Sequence, residues 1–492
     1  MREITNFIGG DRRSQSGKAT RITIENPADE SINGVLLEAD ATDVDAAVCA
    51  ARAAFEDGPW PRMSAADRQL ILRAVGAHLA AHADELAELE CDDAGLPMHE
   101  VRNRHVPRMQ QNFEHVASLI AIDTGDVLEQ INNYLTVVSH EPAGVAALLA
   151  PWNAPLALAS MKLAQAICLG NTAVLKPSEY TPSSLYRFVE LIHDAGMPPG
   201  VVNLVNGRGA VTGRALTEHP GVDRIAFTGG TPTGRMIMTA AAQNLTPVML
   251  ELGGKSANII FESADIEAAL DGALLGIYSN NGQQCLAGSR ILVQRSIADD
   301  FIDRFAERSA RIRVGDPKDP ETEVGPLCYR DHFERVCGFA DAAKADGERL
   351  VCGGGPDSRF DKGFYFSPTA FFARSNDSRI AREEIFGPFA TILTFETVDE
   401  AIKLANDSEF GLVAYAWTQD LQTAMRVRDE VRAGTVWINT PLMRDLHAPF
   451  GGFKHSGVGR TGGFEGLHFF SETKTTSFAK GPLSIRKLGQ DD

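Results

Sequence analysis

Residues 145–176 read VAALLAPWNAPLALASMKLAQAICLGNTAVLK. Val145 to Leu149 is an apolar run too short for a helix, the turn Pro151-Trp152-Asn153-Ala154-Pro155 interrupts it, and from Leu156 to Leu169 apolar residues recur at the helical period. Ala173 to Lys176 is β-like again, so the stretch is a strand, a helix and a second strand. The alternation continues through the strands Val201 to Leu204, Arg224 to Phe227 and Val248 to Glu251. Helical patterns at Ser183 to Ala195, Ala210 to Thr217 and Gly234 to Asn244 separate them. Repeated βαβ units predict a parallel sheet with a ligand crevice at the carboxyl ends of its strands.

Working outward, the amino-terminal side carries short strands and turns up to about residue 40. A helical layer follows at Asp43 to Phe55, Ser64 to Ala81 and Ala83 to Ala94, with Thr42 and Ser64 as caps, then a helix from about Glu100 to Ile120. Tyr134 to Val138 alternates like a strand, as does the tail from Thr473 to Phe478. On the carboxyl side a second α/β series begins with the strand Ala257 to Phe261, the helix Asp265 to Tyr278, a strand at Ile291 and the helix Ala298 to Ile312. It resumes with Thr391 to Phe395, a helix near Val398 to Asn406, Val413 to Trp417 and Thr435 to Asn439. Residues 314–372, rich in Gly, Pro and charge, show no readable pattern. The fold class expected is α/β with two Rossmann-like parallel-sheet domains, which suits 492 residues because single cores stop growing near 250–300.

With 47 basic and 65 acidic residues the formal net charge is −18, which argues against nucleic acid or an anionic membrane surface as partner. No apolar run approaches the ~20 residues of a membrane span, and Met1 to Gly10 lacks a signal-peptide core. Seven cysteines form an odd set with neither C-x-x-C pairs nor zinc spacing, pointing to reduced thiols, no metal and a cytoplasmic protein.

One cysteine stands apart. Gly282-Gln283-Gln284-Cys285-Leu286-Ala287-Gly288 sets Cys285 in a loop of small and amide residues near a helix terminus, where backbone N–H groups can lower a thiol pKa. A nucleophile needs a base and an oxyanion donor. Glu251, at the end of a strand before Gly253-Gly254, can project into the crevice as the base. Asn153, fixed between Pro151 and Pro155, can donate its amide to an oxyanion, and Lys162 on the following helix can face the same region. Taken alone, Glu251 reads equally well as a charge beside a turn.

Together these residues resemble the aldehyde dehydrogenase superfamily. The resemblance rests on PWNAP at 151, KPSE at 176, FTGGTPTG at 227, ELGGKS at 251, GQQCLAGSR at 282, EEIFGPF at 383, GTVWIN at 434 and PFGGFKHSGVGR at 449, in the family's order along almost the whole chain. It implies that Cys285 attacks an aldehyde, that Asn153 holds the oxyanion, that hydride passes to a nicotinamide, that Glu251 activates water against the thioester, and that Lys162 tunes the pocket. It implies cofactor contacts from Trp152, Lys176, Glu179, Thr228, Gly229, Gly230, Leu252, Glu384 and Phe386. A carboxylate at Glu179 accepting from ribose hydroxyls favours NAD over NADP. The implied organisation is an NAD-binding domain (1–123 with 143–252), a catalytic domain (253–440), a returning segment (441–472) and an oligomerisation arm (124–142 with 473–492) giving dimers or tetramers. Thr461 and Gly230 depart from the Glu and Ser frequent in the family.

Positions that form an aromatic cage in enzymes for simple aldehydes are Ala154, Met161, Ser279 and Arg444. The segment 439–449 resembles the hydroxymuconic semialdehyde branch, which implies arginine recognition of a substrate carboxylate by Arg104, with His447 where a second arginine is common. The expected substrate is a carboxylated or aromatic semialdehyde. Two alternatives are a CoA-acylating semialdehyde dehydrogenase, against which Glu251 argues, and a binding protein on the same scaffold, against which the joint presence of Cys285, Asn153 and Glu251 argues.

Overall fold

The computed structural model describes residues 2–13, 20–486 and 488–489. The βαβ stretch forms the middle of an eight-stranded sheet in the order Gly457–Val458, Val248–Glu251, Arg224–Thr228, Val145–Leu149, Thr172–Lys176, Val202–Leu204, Asn6–Ile8, Asp11–Arg13. The five strands from Val248–Glu251 to Val202–Leu204 are parallel, and the outer ones join antiparallel. Val145–Leu149, Thr172–Lys176 and Arg224–Thr228 are buried throughout because helices cover both faces, which is why each reads as a continuous apolar run. From Val145–Leu149 the chain builds to one side and then crosses to Arg224–Thr228 on the other. The crevice therefore opens where this order reverses.

The second sheet runs Arg349–Cys352, Thr369–Phe372, Phe389–Phe395, Arg290–Gln294, Ala257–Ile260, Val413–Trp417, Thr435–Ile438 and is parallel except at its first strand. It too carries an apolar cluster on each face. A third sheet, antiparallel, pairs Tyr134–Pro142 with Ser471–Ala479, Phe478 lying opposite Leu135, and with Asp126–Leu128. Residues 487 and 490–492 of the expected arm lie outside the described residues.

Several sequence expectations need correction. The Ala41–Glu56 helix is capped by Asp40 and not by Thr42: the Asp40 carboxylate accepts from the N–H groups of Thr42 and Asp43, and Asp43 reaches back to the Asp40 N–H. The helix expected from Glu100 to Ile120 contains a π turn at Val101–His105, just before Pro107, whose missing N–H breaks the regular ladder. The one from Ala210 starts as a π turn at Gly209–Gly213 before Arg214–Thr217. The unreadable segment holds the helix Arg330–Ala345 and two strands, and the helix Leu421–Glu430 was not anticipated.

Candidate active site

A cleft of about 450 Å³ lies between the two large sheets. It is lined from the first by Trp152, Asn153, Thr228, Gly229, Gly230, Glu251 and Leu252, and from the second by Cys285, Glu384 and Phe386. The first group follows the carboxyl ends of three adjacent strands; Cys285 instead precedes Arg290–Gln294, and Glu384 precedes Phe389–Phe395. The sheets thus meet with opposite strand ends, bringing Cys285 into one cavity with Asn153 and Glu251.

The loop before Cys285 is tightly wound. Asn280, Asn281 and Gly282 have φ of 55°, 56° and 69°, three successive left-handed residues. Asn tolerates this region better than most residues, and the surroundings enforce it. The Asn280 N–H donates to Glu100 Oε2 at 2.6 Å, and its amide donates to the carbonyls of Asn153 and Gln283. The Asn281 amide donates to the carbonyls of Gly95 and Pro326 and accepts from the Gly325 N–H. Asn153 Nδ2 donates one hydrogen to the Gln283 carbonyl at 2.8 Å, which fixes the amide and leaves its second hydrogen available beside Cys285.

Burial governs the electrostatics. The expected depression of the Cys285 thiol pKa is overturned: it is pushed up to about 12 by desolvation, then by the nearby Glu384 and Glu251 carboxylates, which outweigh its own N–H and that of Leu286. Glu251 titrates above the usual carboxylate range because it is buried, with Lys162 and Arg444 pulling the other way. Burial lowers Lys162 in turn, opposed by Glu251 and Cys285. Thr461 Oγ1 donates to Glu251 Oε1 at 3.3 Å, while Glu251 Oε2 and Lys162 Nζ have no hydrogen-bond partner among the described residues. A base, a cation and a thiol thus lie close enough to influence one another's ionisation.

The remaining surface fits a dinucleotide. Gly230 caps the helix Thr231–Asn244, and the Thr228 hydroxyl beside it is buried with no hydrogen-bond partner among the described residues, a donor set suited to a pyrophosphate. Lys176 Nζ lies 3.9 Å from Glu179 Oε2. Glu384 accepts from the Gly254 N–H at 2.9 Å and is raised to about 7 by burial. The rings of Trp152 and Phe386 meet edge to face with centroids 5.2 Å apart. NAD bound here would have Lys176 and Glu179 at one end and Glu384 and Phe386 at the other.

The sequence pattern of the Aldehyde dehydrogenase family matches residues 13–476. The chain belongs to this family. It is 42% identical over 474 residues to retinal dehydrogenase 2 of Homo sapiens (96% of this chain, 91% of that protein). It is 41% identical over 469 residues to 5-carboxymethyl-2-hydroxymuconate semialdehyde dehydrogenase of Escherichia coli (94% and 98%). The structure of the NAD+ complex of the Bacillus cereus aldehyde dehydrogenase superimposes with a TM-score of 0.95 at 39% identity, covering 97% of each chain. An α/β enzyme that oxidises aldehydes with NAD follows from the family.

In this aldehyde dehydrogenase the expected pocket residues divide. Met161 is buried one residue before Lys162 and accepts from Arg444 Nη2 at 3.6 Å. Ala154 is the residue before the Pro155–Cys168 helix. Ser279 donates to the Leu275 carbonyl and accepts from the Gln284 amide; it lines a separate cavity of about 530 Å³ with His99 and Glu100. Arg104 is exposed and paired with Glu100 at 3.2 Å, and His447 is exposed and paired with Asp445 at 3.2 Å.

Three cleft residues of this aldehyde dehydrogenase lie in the segment whose sequence showed no pattern: Tyr329, His332 and Arg335, on and just before the Arg330–Ala345 helix. Tyr329 stacks on Tyr180 with centroids 3.8 Å apart, and His332, lowered to about 4 by burial and therefore neutral, donates Nε2–H to the Phe386 carbonyl at 2.7 Å. Arg335 donates to the carbonyls of Glu384 and Ile385, so this helix fixes the Glu384–Phe386 turn, where Phe386 has φ 63°. The only sequence signal was the helical spacing of Val336, Phe339, Ala340 and Ala343, hidden among charges.

Proposed function

We propose that this enzyme oxidises a semialdehyde bearing a second, acidic group to the corresponding acid, with NAD as acceptor and water as the final nucleophile. The reading rests on one observation above all: Cys285, Asn153 and Glu251, drawn from two sheets, line one cavity with Lys162 buried behind them. In the free enzyme the thiol is neutral, so its proton passes towards the Glu251 carboxylate as Sγ attacks the aldehyde carbon. The oxyanion of the resulting thiohemiacetal lies against the free hydrogen of Asn153 Nδ2 and the Cys285 N–H. NAD, when bound, supplies the hydride acceptor, and loss of hydride from the carbon leaves a thioester on Cys285. Once Glu251 has released the thiol's proton to solvent, it takes a proton from water as the water oxygen attacks the thioester carbon; the carbon–sulfur bond then breaks to release the acid, and Glu251 returns the proton to the Cys285 thiolate.

NAD over NADP is favoured by Glu179, whose carboxylate beside Lys176 accepts from ribose hydroxyls and repels a 2′-phosphate. Residues 1–123 with 143–252 are assigned as the NAD domain, 253–440 as the catalytic domain and 441–472 as the segment returning to the first sheet. The similarity to a carboxymethyl-hydroxymuconate semialdehyde dehydrogenase supports an acidic substrate. Absorbance of reduced nicotinamide, followed with a panel of aldehydes and semialdehyde acids, tests the reading. Wild type produces it with NAD more efficiently than with NADP, added CoA leaves the rate unchanged, and Cys285→Ser abolishes it; activity surviving in Cys285→Ser would overturn the assignment.

A further inference from the structure

The loop that carries Cys285 is held from behind by an acid that the mechanism above does not use. Glu100, buried just before the π turn Val101–His105, turns one carboxylate oxygen to each of two groups. Oε1 pairs with Arg104 Nη1 at 3.2 Å, and Oε2 accepts from the Asn280 N–H at 2.6 Å. The Ile266–Tyr278 helix ends just before Asn280, whose φ of 55° breaks the helical ladder, so this buried N–H depends on an acceptor from elsewhere in the chain. An ionised acceptor makes the stronger bond. What Asn280 holds in turn gives the contact its consequence. Its amide donates to the carbonyl of Asn153 at 2.9 Å and to that of Gln283 at 3.0 Å, and the Asn153 amide donates to the same Gln283 carbonyl at 2.8 Å. Asn280 therefore ties the oxyanion donor to the backbone two residues before the nucleophile, and Glu100 anchors Asn280.

We infer that Glu100 is a positioning residue for aldehyde oxidation: through Asn280 it sets the Cys285 thiol and the Asn153 amide in register for attack and for binding of the oxyanion. The inference rests on the roles of Cys285 and Asn153 proposed above and extends them to a group that touches neither substrate nor cofactor. Displacing a reacting group by about 1 Å costs on the order of a hundredfold in rate, so one anchoring bond at this point governs kcat. The cavity of about 530 Å³ lies on the far side of the loop, lined by Glu100 and by Ser279, whose hydroxyl accepts from the Gln284 amide at 3.1 Å. Removing the Glu100 side chain opens this cavity towards the Asn280 N–H, where a small carboxylate from solvent can take its place.

The test follows turnover of the full enzyme with NAD on 5-oxopentanoate and on hexanal. Glu100→Leu, which fills the space without an acceptor oxygen, lowers kcat on the order of a hundredfold. It does so by the same factor for both aldehydes and leaves KM for NAD within twofold. Glu100→Gln keeps an acceptor oxygen in place and recovers most of that loss; Arg104 loses its ion pair in both variants, so the difference between them reads the Asn280 bond alone. Glu100→Ala is as slow as Glu100→Leu, and sodium formate restores it several-fold and saturably, whereas sodium chloride at the same ionic strength does not and Glu100→Leu, its cavity filled, does not respond. A kcat in Glu100→Leu within threefold of wild type overturns the inference. So does Glu100→Gln no faster than Glu100→Leu, which would leave only the ion pair or the fold to explain the loss. Turnover surviving in Cys285→Ser would instead overturn the roles on which the inference rests.

Discussion

Cys285 sits where burial and two carboxylates oppose its ionisation, so its reactivity depends on the groups that move its proton. Lys162 favours the charged form of Glu251. Removing it in Lys162→Met raises the Glu251 pKa further, so the acid limb of the pH–kcat profile moves to higher pH by about one unit, and an unmoved limb would exclude Glu251 as the titrating base. Glu384 makes a second case. Its folded pKa, about 7, exceeds the ordinary 4.5 because burial disfavours the charge. A raised carboxylate contributes stability that is full below 4.5 and is lost as pH climbs towards 7. Glu384→Gln removes that loss: unfolding free energy rises relative to wild type at pH 8 by on the order of 2 kcal/mol, with a higher Tm, and changes little at pH 4.5, while KM for NAD increases. A Tm difference independent of pH would refute the burial argument. Cys285, Glu251 and Asn153 were legible as residues because Gly and Pro punctuate them in the chain. Tyr329, His332 and Arg335 were not, because the apolar spacing of their helix is hidden among charges.

At the scale of elements, the βαβ stretch gave its strands almost to the residue, since runs buried on both faces leave no ambiguity of period. Placement of Cys285 was less accessible. The rule that ligands gather at carboxyl ends of strands holds for the first sheet, but the cysteine loop enters its strand, and only packing of the second sheet against the first brings it to the crevice. That loop depends on Gly282, whose φ is +69° and whose added Cβ would lie 2.2 Å from the backbone of Gly387. Two backbones meet there, and neither is a flexible side chain that can yield. Gly282→Ala is expected to cost about 2–4 kcal/mol in urea unfolding and at least a hundredfold in kcat, through displacement of both Cys285 and the Glu384–Phe386 turn. A variant that folds as stably as wild type would show that the contact is soft.

The molecule as a whole is two α/β layers facing across a cleft, tied at two places by late parts of the chain: Gly457–Val458 closes the edge of the first sheet beside Val248–Glu251, and Ser471–Ala479 zips onto Tyr134–Pro142 outside both. The second tie leaves a three-stranded sheet with Val127 and Phe478 exposed and, among the described residues, one edge of Ser471–Ala479 unpaired. An open strand edge in a sheet that also exposes Val127 and Phe478 is a surface that a second copy can cover. Sequence alone showed two β-like segments, which pair across the chain, Thr136 and Ser477 being 341 residues apart; their partnership came from the resemblance and not from periodicity, because residue pairing across such a distance leaves no local trace. The wild-type enzyme is expected to elute as a dimer or tetramer by light scattering at micromolar concentration. Val127→Glu with Phe478→Glu, which introduces like charges onto the exposed face without touching the cleft, shifts it towards monomer and lowers Tm. A wild type that is already monomeric, or a double variant whose mass is unchanged, would remove the arm from assembly.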